Sequence, residues 1–291
     1  MWEVREMSKL LRADFARLFK SKIFWLGTIF MFGFAVFAAH THWKDMRDFP
    51  DYISPYDGML FAGTEFIGIV IAIVIGIFIG TDYSHGTIRN KLAIGHSRMK
   101  IYFSNLIVCT AASMIMHFAW LGVIIGGAVS GLTRKFEMPA GTIAAEILIS
   151  IFAVSAITAI FLLVSMLVPS RSAGVVAVMV LSLAMIISAM TIWSRLDEPE
   201  YFSAYDYVIT DPDGTTHEIH EEMAKNPYYL EGTKRRVYEI LYDIIPNCQI
   251  RHLALGDGFD DSMNLLPLYS FSIMIVTTAA GILIFRRKDL K

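Results

Sequence analysis

Long apolar runs alternate with short polar stretches along the chain, and the lengths of the runs settle the first question. A helix needs roughly 17 to 25 residues to cross a hydrocarbon core. Six runs reach or approach that length: 23–39, 58–80, 101–132, 140–168, 173–193 and 268–285. They predict six transmembrane helices. The third and fourth exceed one bilayer thickness, so they must tilt, protrude or break. Ahead of the first run, Val4, Met7, Leu11 and Leu18 recur at helical spacing, widened by Leu10, Phe15 and Phe19, with Arg and Lys filling the remaining positions. This predicts an amphipathic helix over 1–22, either lying at the headgroups or capping the bundle. A cleavable leader is the other reading of a basic start followed by an apolar run. Here the basic stretch contains Glu3, Glu6 and Asp14, and the run outlasts the usual signal core, so cleavage is not expected.

The largest polar segment, 194–267, carries structure of its own. Tyr205 to Thr210 and Thr215 to Ile219 flank Asp211-Pro212-Asp213-Gly214, which reads as a hairpin, with proline presetting one turn angle and glycine accepting a positive one. Val237, Ile240, Leu241 and Ile244 then recur at helical spacing until Pro246 ends the helix. The fold class expected is an all-α polytopic membrane protein: six transmembrane helices, an N-terminal amphipathic interfacial helix, and a small α+β extracytoplasmic domain between helices 5 and 6. A connecting loop at 81–100 and a tail at 286–291 complete it. No repeat of solenoid length is present.

Composition agrees, since 55% of the residues are hydrophobic and 18% charged, against about 25% charged in ordinary soluble domains. The net charge of -2 leaves no global basic field to gather nucleic acid. Cations choose the sides: about 15 of the 25 Lys and Arg fall before span one, between spans two and three, between four and five, and after six. By the positive-inside rule both termini are then cytoplasmic, in the cell membrane. The other side gathers about 20 of the 27 acidic residues, which would modestly attract a cationic peptide. Cys109 lies in an apolar run and Cys248 in a polar segment, at different depths, so no disulfide framework is expected.

Candidate chemistry is sparse. Glu65, His117 and Glu146 are polar groups inside or at the edges of spans, where an ionised side chain is costly. They form a candidate intramembrane polar site, with solvated carboxylates and a hydrogen-bonded packing histidine as the plainer readings. Gly76 and Gly80, Gly122 and Gly126, and Gly127 and Gly131 stand four apart, a spacing that lets helices approach closely in lipid, within one subunit or between two. His217 and His220 with Glu218, Glu221 and Glu222 lack a His-Glu-x-x-His arrangement, and Asp257, Asp260 and Asp261 read as a solvated turn; no metal is expected. There is no Gly-x-Ser-x-Gly elbow and no Gly-x-x-x-x-Gly-Lys-Ser/Thr phosphate loop, so no catalytic residue is assigned and ATP hydrolysis is not expected on this chain.

The loop Thr81 to Arg98 is the most informative stretch. It joins a helix start at Asp82 or Ser84 to apolar residues Ile88, Leu92 and Ile94 and the cations Arg89, Lys91 and Arg98, with Lys100 just beyond, which a merely solvated linker would not need. Something is expected to cover that face. Gly86-Thr87-Ile88-Arg89-Asn90-Lys91-Leu92, with Gly95-His96-Ser97-Arg98 and Ile101-Tyr102, resembles the signature between spans two and three of ABC-2 type transporter permeases, the bacitracin and lantibiotic export or immunity branch being nearest. Gly281 to Phe285 followed by Arg286-Arg287-Lys288-Asp289-Leu290 resembles the usual end of such chains.

The resemblance implies a coupling helix that docks into a separate ABC ATP-binding subunit. ATP and Mg would be held on that subunit, with no cofactor on this chain. A second permease subunit, identical or related, would complete the path for an amphipathic peptide, lipid or drug. Gly86, Thr87, Ile88, Arg89, Asn90 and Leu92 would be contact or hinge positions, and Arg98 would fix the return into span three. Ser84-His85 stands where the family often has a glutamate before Gly-Thr, and 194–267 is longer than in many relatives. Two other functions compete: a non-transporting immunity or sensor subunit that binds a peptide, and a membrane enzyme with its catalyst in the outer segment.

Overall fold

The computed structural model describes residues 2–49, 56–133, 135–210, 216–221, 223–256 and 261–288. Helix α1 (Trp2–Lys20) meets α2 (Lys22–Asp48) at Ser21, whose hydroxyl accepts from the Phe24 amide and caps the new helix. Then follow α3 (Met59–Ala62), α4 (Thr64–Ser84), α5 (Thr87–Ala93), α6 (Arg98–Ser130), α7 (Ala140–Leu167) and α8 (Arg171–Leu196). Strands β1 (Tyr201–Phe202), β2 (Tyr205–Thr210), β3 (Thr216–Glu221) and β4 (Ala224–Lys225) precede α9 (Gly232–Ile244), α10 (Pro246–Leu255) and α11 (Leu266–Arg287). Among the described residues, six helices are long and apolar enough to cross a membrane, as the runs predict, and the protein is a multi-pass membrane protein.

The expected boundaries shift mainly outward. α2 continues nine residues past Ala39, α4 continues past Gly80 to Ser84, and α6 starts at Arg98. The two long runs do not break: α6 has 33 residues and α7 has 28. At 1.5 Å per residue α6 is about 50 Å long, well beyond a hydrocarbon core of about 30 Å, so it protrudes.

α7 is the axis of the bundle. Residues 153–159 are buried without interruption, which means neighbours surround this helix on all sides. Ala153, Ser155, Ala156, Thr158 and Ala159 keep its profile narrow, so α4, α6 and α11 can pack close to it. α2, α8 and α11 form the periphery and turn apolar side chains such as Leu26, Phe37, Val180, Ile187 and Val276 outward, the surface a bilayer would cover.

Contacts show which ends lie together. The ends of α4, α7 and α11 and the beginnings of α6 and α8 share one end with α1 and α5, called here the terminal end. At the opposite, distal end, Tyr56 donates to the Ile124 carbonyl at 3.2 Å, and the amides of Glu137 and Met138 donate to the Asp57 carboxylate at 3.1 to 3.2 Å. Gly63 interrupts span two between α3 and α4. Its bare Cα faces the Trp120 ring, which any Cβ would overlap, and Trp120 Nε1 donates to the Leu60 carbonyl at 2.9 Å.

The segment after α8 is only partly a domain of its own. β2 and β3 pair antiparallel from Tyr205↔Glu221 to Thr210↔Thr216, as the hairpin reading expects; its turn, Asp211 to Gly214, lies outside the described residues. β1 and β4 pair in the same register, Tyr201 with Lys225 and Phe202 with Ala224, so the four strands form one interrupted ribbon. Pro246 does follow the end of α9, but it is also the first residue of α10. α10 is not part of an outer lobe. Its Cys248, Gln249, Ile250 and Leu253 are buried against α3, α7 and α8, where it plugs the distal end. Gln249 donates to the Asp243 carbonyl at 2.6 Å and accepts from Ser270 at 2.7 Å.

The glycine pairs divide sharply. A Cβ on Gly76 would lie 3.0 Å from Val175 Cα and one on Gly80 would lie 2.9 Å from Arg171 Cα, so both permit the α4–α8 approach. Gly127 faces Thr133 and Tyr56, whereas a Cβ on Gly122, Gly126 or Gly131 would meet open space among the described residues. Gly131, at φ 75°, ends α6 in the left-handed conformation. Gly80→Leu is expected to force α4 from α8 and lower stability by about 1–3 kcal/mol, read as a lower thermal midpoint of the solubilised protein. Gly122→Leu is expected to stay within about 0.5 kcal/mol; an equal loss would count against this division.

Candidate coupling site at the terminal end

The site is assembled where α1, α4, α5 and α6 meet. The apolar stripe of α1 packs on the bundle through Leu10 and Leu18, both buried, and Asp14 stands between them on the same face at i+4 spacing. A carboxylate in that position must find a partner or neutralise. It finds several. Lys91 Nζ of α5 donates to Asp14 Oδ1 at 2.7 Å, Ser104 Oγ of α6 donates to Asp14 Oδ2 at 2.6 Å, and Arg17 lies 3.6 Å from Asp14 Oδ1. Arg17 also pairs directly with Asp82 near the end of α4, and Lys91 approaches Asp82 Oδ2 at 3.7 Å. The Arg17 guanidinium lies 3.9 Å from the centre of the Phe78 ring.

Two acids and two bases thus close a neutral, buried network that joins four helices. Burial pushes the Arg17 and Lys91 pKa values down, and the Asp14 charge beside each pulls them back up. Such groups cost several kcal/mol each to take out of water, so the network is held together by mutual compensation. α5 is therefore fixed to α1 and to the end of α4.

Asp82 and Ser84 do not start a helix, as the sequence suggests, but lie in the last turn of α4. The turn into α5 is made by Gly86, whose φ of 66° is the left-handed conformation that favours glycine, and its carbonyl accepts from the Asn90 amide at 2.9 Å. Thr87 is half-buried at the first position of α5. Ile88, expected at a partner contact, is 1% exposed and packs into the protein's own core, with Leu92 half-buried against the same core. The bundle covers these two, so their helical spacing does not call for a partner. What remains free is Arg89, Asn90 and Ile94, the last 75% exposed.

Arg98 ties α6 to the end of α11. Its Nη1 donates to the Phe285 carbonyl at 2.7 Å and to the Lys288 carbonyl. Lys288 Nζ in turn donates to Tyr83 Oη at 3.1 Å and to the carbonyls of Met166 and Leu167 at 2.8 and 3.1 Å, capping the C-terminus of α7. Burial lowers the Lys288 pKa. The basic ending of the chain is thus a clamp across α4, α6, α7 and α11.

The candidate intramembrane residues are not brought into one cluster. Glu65 accepts from Arg251 of α10 at 2.8 Å, and that guanidinium lies 4.5 Å from the centre of the Trp193 ring. His117 Nε2 shares a hydrogen bond of 2.9 Å with Ser150 Oγ between α6 and α7, and Glu146 is buried one turn before Ser150. No group of His, Cys, Asp and Glu suited to a metal occurs among the described residues. The side chains of His217, Glu218, His220, Glu221 and Asp261, and residues Glu222, Asp257 and Asp260, lie outside the described set.

Sequence reasoning missed Asp14, Arg17, Asp82 and Lys91. Two signals were present: an acidic residue in the middle of an apolar helical stripe, and an acidic residue inside the last turn of an apolar span, each requiring a buried cation.

Over residues 10–189 the chain matches the family model described as ABC-2 family transporter protein, more than half of its length, and it belongs to that family. No curated protein matches it. The match contains the charge network and α5. The chain is therefore a membrane component of a transporter, of a family that in general works with an ABC ATP-binding partner.

Removing one member of the network leaves a buried charge without compensation, so Lys91→Met is expected to cost about 3–5 kcal/mol. Asp14→Asn combined with Lys91→Met removes both charges of the pair and is expected to cost clearly less than the two single changes added together. Thermal or denaturant unfolding of the four proteins in detergent measures this coupling; additive losses would show that the pair is not energetically linked.

Proposed function

We propose that the chain is the permease subunit of an ABC-2 exporter, in the branch that handles bacitracin-like or lantibiotic-like peptides for export or immunity. The terminal end faces the cytoplasm and the protein resides in the cell membrane. Two copies, or two related chains, form the path, and ATP with Mg is bound and hydrolysed by a separate subunit docked on α5. The observation that carries this reading is the combination of a short helix fixed to α1, α4 and α6 with an exposed outer face of Arg89, Asn90 and Ile94. A push on that face acts on the ends of span-forming helices, not on a loose loop. The positive-inside bias of the same end supports its cytoplasmic placement.

An amphipathic cargo is supported by a groove of about 470 Å³ between α2 and α4, lined by Ile23, Gly27, Phe30, Phe34, Phe66 and Val70. It is almost wholly apolar and opens on the side of the bundle where a lipid-dissolved molecule would arrive. Ile88 and Leu92 act in this scheme as the seat of the coupling helix, and Gly86 as its turn.

A charge placed in a docking groove without a partner is penalised. Arg89→Asp and Ile94→Asp are each expected to weaken co-purification of the ATP-binding subunit by about tenfold or more, which is about 1.4 kcal/mol, and to abolish ATP-dependent transport of a lantibiotic into inside-out vesicles. Association unchanged in both variants would remove α5 as the docking element.

A further inference from the structure

Helix α9 presents three faces, of which only two are accounted for. At about 100° per residue, Tyr238, Tyr242 and Ile245 project to one side, where they pack on Ala189, Ile192 and Leu196 of α8 and on Cys248 of α10. Arg235, Arg236, Glu239 and Asp243 form a polar side, with Arg235 held to Glu239 at 3.1 Å. Val237, Ile240, Leu241 and Ile244 form the third, between the other two by the same helical arithmetic, and all four are exposed, at 38–49%. Among the described residues, neither the bundle nor the ribbon covers them.

The position of the helix says what does. α9 packs against the last turns of α8 and against α11, where two membrane-spanning helices reach the distal end. The outward surfaces of those helices are apolar up to that level, through Ile187 and Met190 on α8 and through Leu265 and Leu268 at the start of α11. Tyrosines and a tryptophan pair with cations on and around these helices: Tyr228 beside Arg195 of α8, Tyr229 beside Arg235 of α9, and Trp193 of α8 beside Arg251. Aromatic rings paired with cations are the side chains that settle at a membrane–water boundary.

We propose that α9 lies in the plane of the membrane interface at the distal end, with Val237, Ile240, Leu241 and Ile244 sunk into the headgroup–acyl boundary and its polar side in water. The ligand of this surface is the lipid bilayer itself. The face continues an apolar surface that the six spans already give to lipid, and its segregation from the charged side is that of an interfacial helix. Since Ile245 alone separates α9 from the buried α10, the bilayer anchors the element that leads into the distal plug.

Spin labels at Ile240→Cys and Arg236→Cys, in the full chain in nanodiscs of phosphatidylcholine and phosphatidylglycerol, test the placement; the native Cys109 and Cys248 are buried. The ratio of collision with oxygen to collision with a water-soluble nickel chelate is expected to be several-fold higher at 240 than at 236. Equal ratios would put the face in water and overturn the proposal. Exclusion of both reagents at 240 with spin–spin broadening would show a second copy covering it and would overturn it equally. Val237→Cys repeats the measurement on the same face if the first variant folds poorly.

Discussion

The terminal end depends on a carboxylate placed where a leucine would be simpler. Asp14 interrupts the Leu10–Leu18 stripe of α1, and satisfying it draws in Lys91 from α5 and Ser104 from α6, while Arg17 reaches Asp82 of α4. An apolar residue at position 14 would pack there without needing any particular partner. Paired charges do need one another. They fix one register between four helices, and the cost of burying each charge is offset only in that arrangement.

A second constraint is geometric. α7 has neighbours on every side and carries Ala, Ser and Thr at its centre, while α4 meets α8 across Gly76 and Gly80. Between helices in lipid no hydrophobic attraction operates, so close backbone approach and interhelical hydrogen bonds such as Thr158 to Ser113 at 2.8 Å supply the cohesion. The Arg98–Lys288 clamp closes the same packing at the terminal end by using helix-terminal carbonyls of α7 and α11 as acceptors. Helix α5 and the clamp therefore hold one connected set of helix ends.

The distal end is built differently. There the chain returns into the bundle as α10, and its fixed points are hydrogen bonds and close contacts: Gln249 with Ser270, Glu65 with Arg251, and Gly256 against Gly58. The ribbon of β1 to β4 stands apart from this and carries the regular register of an antiparallel pair. One polar segment in the sequence thus becomes unlike pieces, a paired ribbon, the helix α9 and a buried plug.

The six spans, the hairpin and the stretch that forms α5 were legible because each rests on a local pattern: hydrocarbon thickness sets run length, a proline–glycine turn between two strand-like stretches marks a hairpin, and apolar residues at helical spacing mark α5. The family resemblance also lay in a contiguous stretch, Gly86 to Tyr102. The burial of Ile88 and the free face left at Arg89, Asn90 and Ile94 were not legible, since helical spacing marks an apolar face without saying which surface covers it. Nor was the pairing of Lys91 with Asp14, 77 residues away, or of Lys288 with Met166, 122 residues away. Which charges meet depends on how the bundle brings distant helix ends together, and only the tertiary structure decided that.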